Sequence, residues 1–114
     1  MRWLSRSGSE WQSHAIPLPA GVGTGKSAVV SDVDGDGQND LIFSCENAKG
    51  ELSGMRWLSR SGSEWQSHEI GGPAGVKYDR IELIDLDGDG DLDVLCCEER
   101  DQLGVCWYEN PFGE

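Results

Sequence analysis

Residues 1–14, MRWLSRSGSEWQSH, recur letter for letter as residues 55–68. A chain that repeats is built from one structural unit used more than once, each unit burying its faces against the next. The match continues in weaker form beyond the identical stretch. AIPLPAGV at 15–22 answers EIGGPAGV at 69–76, SDVDGDGQNDLIF at 31–43 answers IDLDGDGDLDVLC at 84–96, and MRWLS at 55–59 is answered by VCWYE at 105–109. An identical stretch of this kind arises by recent duplication or by deliberate copying, and the sequence fits both.

The repeat period of about 50–54 residues is typical of a four-stranded β-propeller blade. Within each repeat the residues read as short strands between turns. Ser27–Ser31 and Arg80–Ile84 lead into acidic loops. Leu41–Ser44 and Val94–Cys97 leave them as continuous apolar runs, the pattern of a strand buried on both faces. Met55–Ser59 and Val105–Glu109 form a third strand with a central Trp, and the more polar, alternating Trp65–Ile70 suits an outer edge. No segment has helical periodicity with caps. The expected fold class is therefore all-β, with blades of four antiparallel strands and about two blade equivalents per chain.

With the strands of a blade lettered a to d from the inside outward, the chain runs c-d, a-b-c-d, a-b-c. Residues 1–26 supply strands c-d of a partial blade and a linker, 27–70 a complete blade, and 71–114 strands a-b-c of a further one. Such a strip has unpaired edges and uncovered faces, whereas propellers close with four or more blades. Closure by homo-oligomerisation is expected: three chains would give six blades and four would give eight, with the redundant c strand displaced.

The charge is strongly unbalanced, with 9 Lys+Arg against 21 Asp+Glu and a net charge of −12. This argues against nucleic acid and against anionic membranes as partners. Much of the acidity falls in two nine-residue loops. The first is Asp32-Val33-Asp34-Gly35-Asp36-Gly37-Gln38-Asn39-Asp40, the second Asp85-Leu86-Asp87-Gly88-Asp89-Gly90-Asp91-Leu92-Asp93. Both carry carboxylates at positions 1, 3, 5 and 9 and glycines at 4 and 6. Calcium takes six to eight oxygens at about 2.3–2.6 Å, and alternate residues of a tight turn can aim carboxylates inward at that distance. Position 7, Gln38 or Asp91, adds a backbone carbonyl. The expected ligands are thus Asp32, Asp34, Asp36, Gln38 and Asp40 in one loop and Asp85, Asp87, Asp89, Asp91 and Asp93 in the other. Without a cation, two charges about 4 Å apart repel by about 1 kcal/mol even in water. Magnesium fits less well, because it dehydrates reluctantly and demands octahedral geometry. An EF-hand would need a Glu at position 12 and flanking helices. That position holds Phe43 or Cys96, and the flanks read as strands.

These residues carry a resemblance. DVDGDGQNDLIF, DLDGDGDLDVL, GVCWYENP and EWQSHEI together resemble the FG-GAP/VCBS repeats, the calcium-bearing propeller blades of integrin α heads and of many secreted bacterial proteins. The resemblance implies that the acidic loop joins the two inner strands and that Ca2+ clamps the turn. It also implies an extracellular or periplasmic setting. Family propellers usually have about seven blades, so a chain of this length reads as a designed or excised fragment. The function expected is a calcium-binding, self-assembling structural or binding scaffold. The alternative is a glycan-binding lectin with repeated sites between blades, for which carbohydrate would be the ligand.

Other candidates read more plainly. Cys45, Cys96, Cys97 and Cys106 show no CxxC spacing and suit buried thiols, with a bridge from Cys96 or Cys97 to Cys106 as the alternative. His14 and His68 occupy equivalent outer-strand positions, with no Ser, Asp or second His at useful sequence spacing. Gly21–Ser27 echoes a phosphate loop, but it is one residue short and a strand comes after it, so it reads as a loop between blades. Trp3, Trp57 and Trp107 suit packing between blades, and Trp11 and Trp65 suit partly exposed positions. No nucleophile or acid–base constellation is evident, and the chain is not expected to be an enzyme.

The start, Met1 to Ser9, lacks the apolar core of a signal peptide.

Overall fold

A computed structural model of the chain describes residues 1–113. Glu114, the last residue of the segment 71–114, lies outside the described residues. Nine strands run in sequence: β1 (Arg2–Ser7), β2 (Glu10–Ala15), β3 (Thr24–Ser31), β4 (Asp40–Glu46), β5 (Met55–Ser61), β6 (Glu64–Glu69), β7 (Tyr78–Ile84), β8 (Asp93–Glu98) and β9 (Gly104–Tyr108). A single 3-10 turn, Pro111–Gly113, comes after β9. The strands form three antiparallel sheets in chain order: the hairpin β1-β2, the four-stranded meander β3-β4-β5-β6, and the three-stranded β7-β8-β9. The fold is all-β with sheets of the propeller-blade kind, and the three sheets do not close into a ring.

Short turns set this order. β1 and β2 are joined by Gly8-Ser9, and β5 and β6 by Gly62-Ser63, with φ of +63° and +62° at the two glycines. A two-residue hairpin with a positive φ at its first position needs glycine there.

The core lies on both faces of β4. Ile42 joins Met55, Trp57, Tyr78, Ile81, Val94 and Cys96 between the second and third sheets. Phe43 and Cys45, pointing the other way, join Ile16 and Leu58 on the side of the hairpin, with Met1, Leu41 and Trp65 around them. Alternate residues of a strand face opposite sides, so a continuous apolar run is the sequence of a strand covered twice. β8 carries a similar run but is covered once. Val94 and Cys96 are buried, while Cys97 on the other face is exposed. The expectation of a doubly buried strand fails there because, among the described residues, no fourth sheet packs beyond the third.

The sheets are tied by polar contacts as well. The Ser44 hydroxyl donates to the Asp79 carbonyl at 2.6 Å, across from β4 to β7. Tyr78 is fully buried and donates its hydroxyl to the Ala74 carbonyl, and Tyr108 donates to Tyr78. The buried Glu98 carboxylate accepts from the backbone N–H groups of Val76, Lys77, Arg100, Asp101 and Leu103, which organises the two connections flanking the third sheet. Burial would raise its pKa; the ring of N–H donors outweighs that and holds it down at about 2.

Two smaller expectations change. Thr24–Ser27, read as part of a loop, already belongs to β3, with a bulge between Gly25 and Ser27. All four cysteines are free thiols: Cys45 and Cys96 are buried, Cys106 is half-buried and Cys97 exposed. Cys96 stands directly opposite Cys106 in the ladder without a bridge.

Candidate metal centre

Each acidic loop is the connection between the first two strands of its sheet, β3 to β4 and β7 to β8. The glycines do conformational work in both. Gly35, Gly37, Gly88 and Gly90 have φ between +74° and +101°, in the left-handed region that a side chain disfavours. A Cβ at any of the four would meet nothing within 4 Å, so the requirement is for backbone conformation and not for space.

The turns fold their carboxylates inward onto their own backbone. In the first loop Asp32 accepts from the N–H groups of Asp36 and Gly37, at 3.1 and 2.9 Å. Asp34 also accepts from Asp36, and Asp36 accepts from Gln38 at 2.8 Å. The second loop repeats the pattern: Asp85 accepts from Gly88 and Gly90, Asp87 from Asp89, and Asp89 from Asp91.

The expected ligands fall into two groups. One carboxylate oxygen each of Asp32, Asp34 and Asp40 lie within 4.8 Å of one another, and so do those of Asp85, Asp87 and Asp89. Asp36 lies in the first loop outside its group, and Gln38 is exposed. Asp91 and Asp93 lie in the second loop outside its group.

The last carboxylates of the two loops differ. Asp40 and Asp93 are both fully buried, and each accepts from a backbone N–H seven residues back, Val33 at 2.9 Å and Leu86 at 3.2 Å. The second oxygen of Asp93 accepts from the Asn110 N–H at 2.9 Å, whereas Oδ1 of Asp40 has no hydrogen-bond partner. Their acidities diverge accordingly. Burial raises the pKa of Asp40, and the nearby charges of Asp34 and Asp36 add to the rise, against the hydrogen-bonded Val33 N–H and the Arg60 N–H, which acts on the carboxylate without closing a hydrogen bond. Burial would also raise Asp93, but the Asn110 N–H, with that of Leu86, outweighs it and holds the group below the usual carboxylate value. Asp87 is raised by desolvation and by the charges of Asp89 and Asp93, against the N–H of Asp89.

A hard divalent cation fits the first loop. Three convergent carboxylates offer oxygen ligands, and one of them, Asp40, presents a buried oxygen that nothing in the protein satisfies. A buried charge without a partner is costly, and a cation there would supply the partner.

The scan against family models found FG-GAP-like repeat over residues 32–96, from the first acidic loop into the apolar run of β8. The chain belongs to the FG-GAP-like repeat family. Comparison with curated proteins and with solved structures found no match. The matched segment contains both acidic loops and the whole β4–β7 stretch between them.

One residue of this FG-GAP-like site escaped the sequence reading of the loops. Asn110 is buried and joins the two turns. Its side-chain amide donates to the Val33 carbonyl in the first loop at 3.0 Å and to the Leu92 carbonyl in the second at 3.3 Å, and its backbone N–H serves Asp93. The signal was present in the YENP stretch at 108–111, where a polar residue stands just after an aromatic strand.

The histidines also need correction. Sequence spacing showed no serine near either one, but the cross-strand register sets Ser5 beside His14 at 2.9 Å and Ser59 beside His68 at 2.7 Å. Each ring stacks on a tryptophan, Trp3 at 4.0 Å and Trp57 at 4.1 Å. The arrangement occurs in both hairpins, exposed in one and packed in the other, which marks it as part of the hairpin's own packing. Trp11 is exposed, while Trp65 is half-buried beside the core with Arg60 5.6 Å from its ring centre.

Proposed function

We propose that the chain is a calcium-binding propeller fragment that serves as a self-assembling structural or binding scaffold rather than as an enzyme. One observation carries the reading. The same acidic turn stands at the same place in two successive sheets, and in the first of them the buried Asp40, which converges with Asp32 and Asp34, has one oxygen without a hydrogen-bond partner. Asp32, Asp34 and Asp40 would hold one ion, and Asp85, Asp87 and Asp89 another, with Asp36, Gln38, Asp91 and Asp93 completing the shells by side chain or carbonyl. The ion's part is to neutralise the clustered carboxylates. The loops' part is to fix the turn between the two inner strands, so that binding energy becomes folding energy.

Self-assembly is supported by the open architecture. The third sheet has three strands where the second has four, and the hairpin has two. Burial of the uncovered faces and pairing of the open edges would drive chains together into rings of three or four.

Calorimetric titration of calcium into metal-free protein, with light scattering in calcium and in EDTA, tests both halves. Two binding events per chain and a trimer or tetramer in calcium are expected. Absence of binding heat, or heat unchanged by Asp32→Ala with Asp85→Ala, would overturn the metal assignment. A single chain in calcium would overturn the assembly.

A further inference from the structure

One fourteen-residue sequence stands in two different surroundings within this chain. As residues 55–68 its first strand, β5, lies between β4 and β6, and Trp57 is 7% and Leu58 2% exposed. As residues 1–14 its first strand, β1, is paired on one side only, and Trp3 is 42% and Leu4 59% exposed. The hairpins themselves match. Trp3↔His14 and Leu4↔Ser13 repeat as Trp57↔His68 and Leu58↔Ser67, and the Arg2–Ser13 contact repeats as Arg56–Ser67. The hairpin β1-β2 is therefore already in the form it has inside a blade, and it lacks the strand that β4 supplies to β5.

The counterpart of β4 in the third sheet is β8, since Asp93 closes the second loop as Asp40 closes the first. β4 meets β5 as Leu41↔Leu58, Ile42↔Trp57, Phe43↔Arg56 and Ser44↔Met55. Carried across the repeat, β8 would meet β1 as Val94↔Leu4, Leu95↔Trp3, Cys96↔Arg2 and Cys97↔Met1. Those same positions of β8 are now held by β9, as Val94↔Tyr108, Leu95↔Trp107, Cys96↔Cys106 and Cys97↔Val105. β9 covers itself poorly: Val105 and Trp107 are exposed, and no strand lies on its outer edge.

We propose that β1 of one copy replaces β9 on β8 of a second copy, so that β7-β8 of one chain and β1-β2 of the other form a four-stranded blade. The proposal rests on the self-assembling reading above and specifies its joint. Three observations commit the occupant to a second copy of this chain. First, the hairpin's sequence is that of the strands that fill the equivalent place in the second sheet. Second, the charges complement: the hairpin carries Arg2 and Arg6 against Glu10, while the receiving sheet, where Arg80 is paired with Glu82, ends in a turn that carries Asp85, Asp87, Asp89, Asp91 and Asp93. Third, there is room. Beside β1 lies an open cleft of about 260 Å³, bounded by Trp3, Ala28, Val30 and Leu41, on the side where inner strands would stand. In the exchanged blade Leu4 turns toward the cluster around Val94 in place of Tyr108. Trp3 turns the opposite way, toward the second sheet of its own chain. The released β9 is the redundant strand.

Arg2→Cys in a Cys97→Ser, Cys106→Ser background tests the register, because position 2 then lies opposite Cys96 of the second copy and in a different sheet from Cys96 of its own chain. In millimolar calcium under mild oxidation, covalently joined chains are expected, with peptide mapping placing the bridge between positions 2 and 96. Leu4→Arg gives an independent reading. Leu4 is exposed in the single chain, so the variant should keep its circular dichroism spectrum while its molar mass by light scattering falls to that of one chain. An assembly that forms no 2–96 bridge and survives Leu4→Arg would overturn the exchange and leave self-assembly standing. A parent protein that is a single chain in calcium would overturn both.

Discussion

Asp40→Asn should stabilise the protein in EDTA and destabilise it, relative to the parent, in calcium. The reasoning starts from the group that Asp40 makes with Asp32 and Asp34, whose oxygens lie within 4.8 Å of one another. Each such pair repels by about 1 kcal/mol in bulk water and by about 3–4 kcal/mol at an effective dielectric constant near 20. Asp40 is buried and the other two are more open, so removing its charge should return about 1–3 kcal/mol. An asparagine keeps a carbonyl for the Val33 N–H. With about 1–2 kcal/mol per molar urea for a domain this small, the urea midpoint in EDTA should rise by about 1 M. Calcium at a thousandfold excess over its dissociation constant adds about 4.1 kcal/mol per site to the parent. The variant forgoes that gain at the first loop, so the order of the two proteins reverses. Asp93→Asn should behave differently, because both Asp93 oxygens accept backbone N–H groups. Loss of charge-assisted bonds of about 1.5–3 kcal/mol predicts destabilisation in EDTA as well. A lower urea midpoint for Asp40→Asn in EDTA, or an undiminished calcium response, would refute the argument.

Glu98 supplies an acid-sensitive term. Its folded pKa of about 2 lies below the ordinary glutamate value of 4.5, so its contribution is complete above pH 4.5 and is lost as the pH falls toward 2. The stability gap between the parent and Glu98→Gln, measured by urea unfolding at a series of pH values, should narrow over that window; a gap independent of pH would contradict it. Gly54→Ala places a Cβ 2.3 Å and 2.5 Å from atoms of the buried Tyr78 ring, and overpacking of this kind costs about 1–3 kcal/mol. Thermal unfolding should show a clear drop in midpoint, and an unchanged midpoint would mean that Tyr78 can move aside. Trp57→Ala should cost about 3–5 kcal/mol, as for large aromatic truncations in a core. Trp3→Ala, in the same local sequence, should change stability by less than about 0.5 kcal/mol at a dilution where the chain is single. Equal effects would show that burial does not distinguish the two hairpins.

Much of the fold was legible because β structure of this kind has strong local signals. The strands begin where the turns end, and the turns are set by Gly8, Gly62 and the Asp-Gly loops, where positive φ or a side-chain-capped turn is required by the backbone. The apolar run at 41–44 announced a strand covered on both faces, and Ile42 and Phe43 do pack into separate clusters. The similar run at 94–97 carried the same announcement, yet Cys97 is exposed. Periodicity reports which surfaces a strand can bury, and whether a sheet covers them depends on neighbours that the strand's own residues do not encode. The acidic loops were legible as loops with inward carboxylates. The inequality between Asp40 and Asp93 was not, because it turns on how closely one backbone N–H of a distant segment approaches. Arg60 and Asn110 occupy equivalent places in the repeat, and only the Asn110 N–H bonds the second oxygen.

The identical hairpins separate what local sequence determines from what it leaves to context. The turn, the cross-strand register, the Trp–His stack and the Ser–His contact are the same in both copies, so fourteen residues suffice to specify them. Burial differs, because it belongs to the neighbours. β5 has β4 against its inner edge and the third sheet beyond its Trp57 face; β1 has neither. A sequence that forms the same hairpin with or without those neighbours can be added as a preformed piece, and binding then needs little further ordering of the hairpin. The ordering cost that remains falls on the acceptor, which must release β9, and on the acidic turn that sets the angle between its inner strands. Neutralising Asp85, Asp87 and Asp89 would hold β7 and β8 in place while β9 leaves, which links the metal loops to the proposed exchange through the one turn they share.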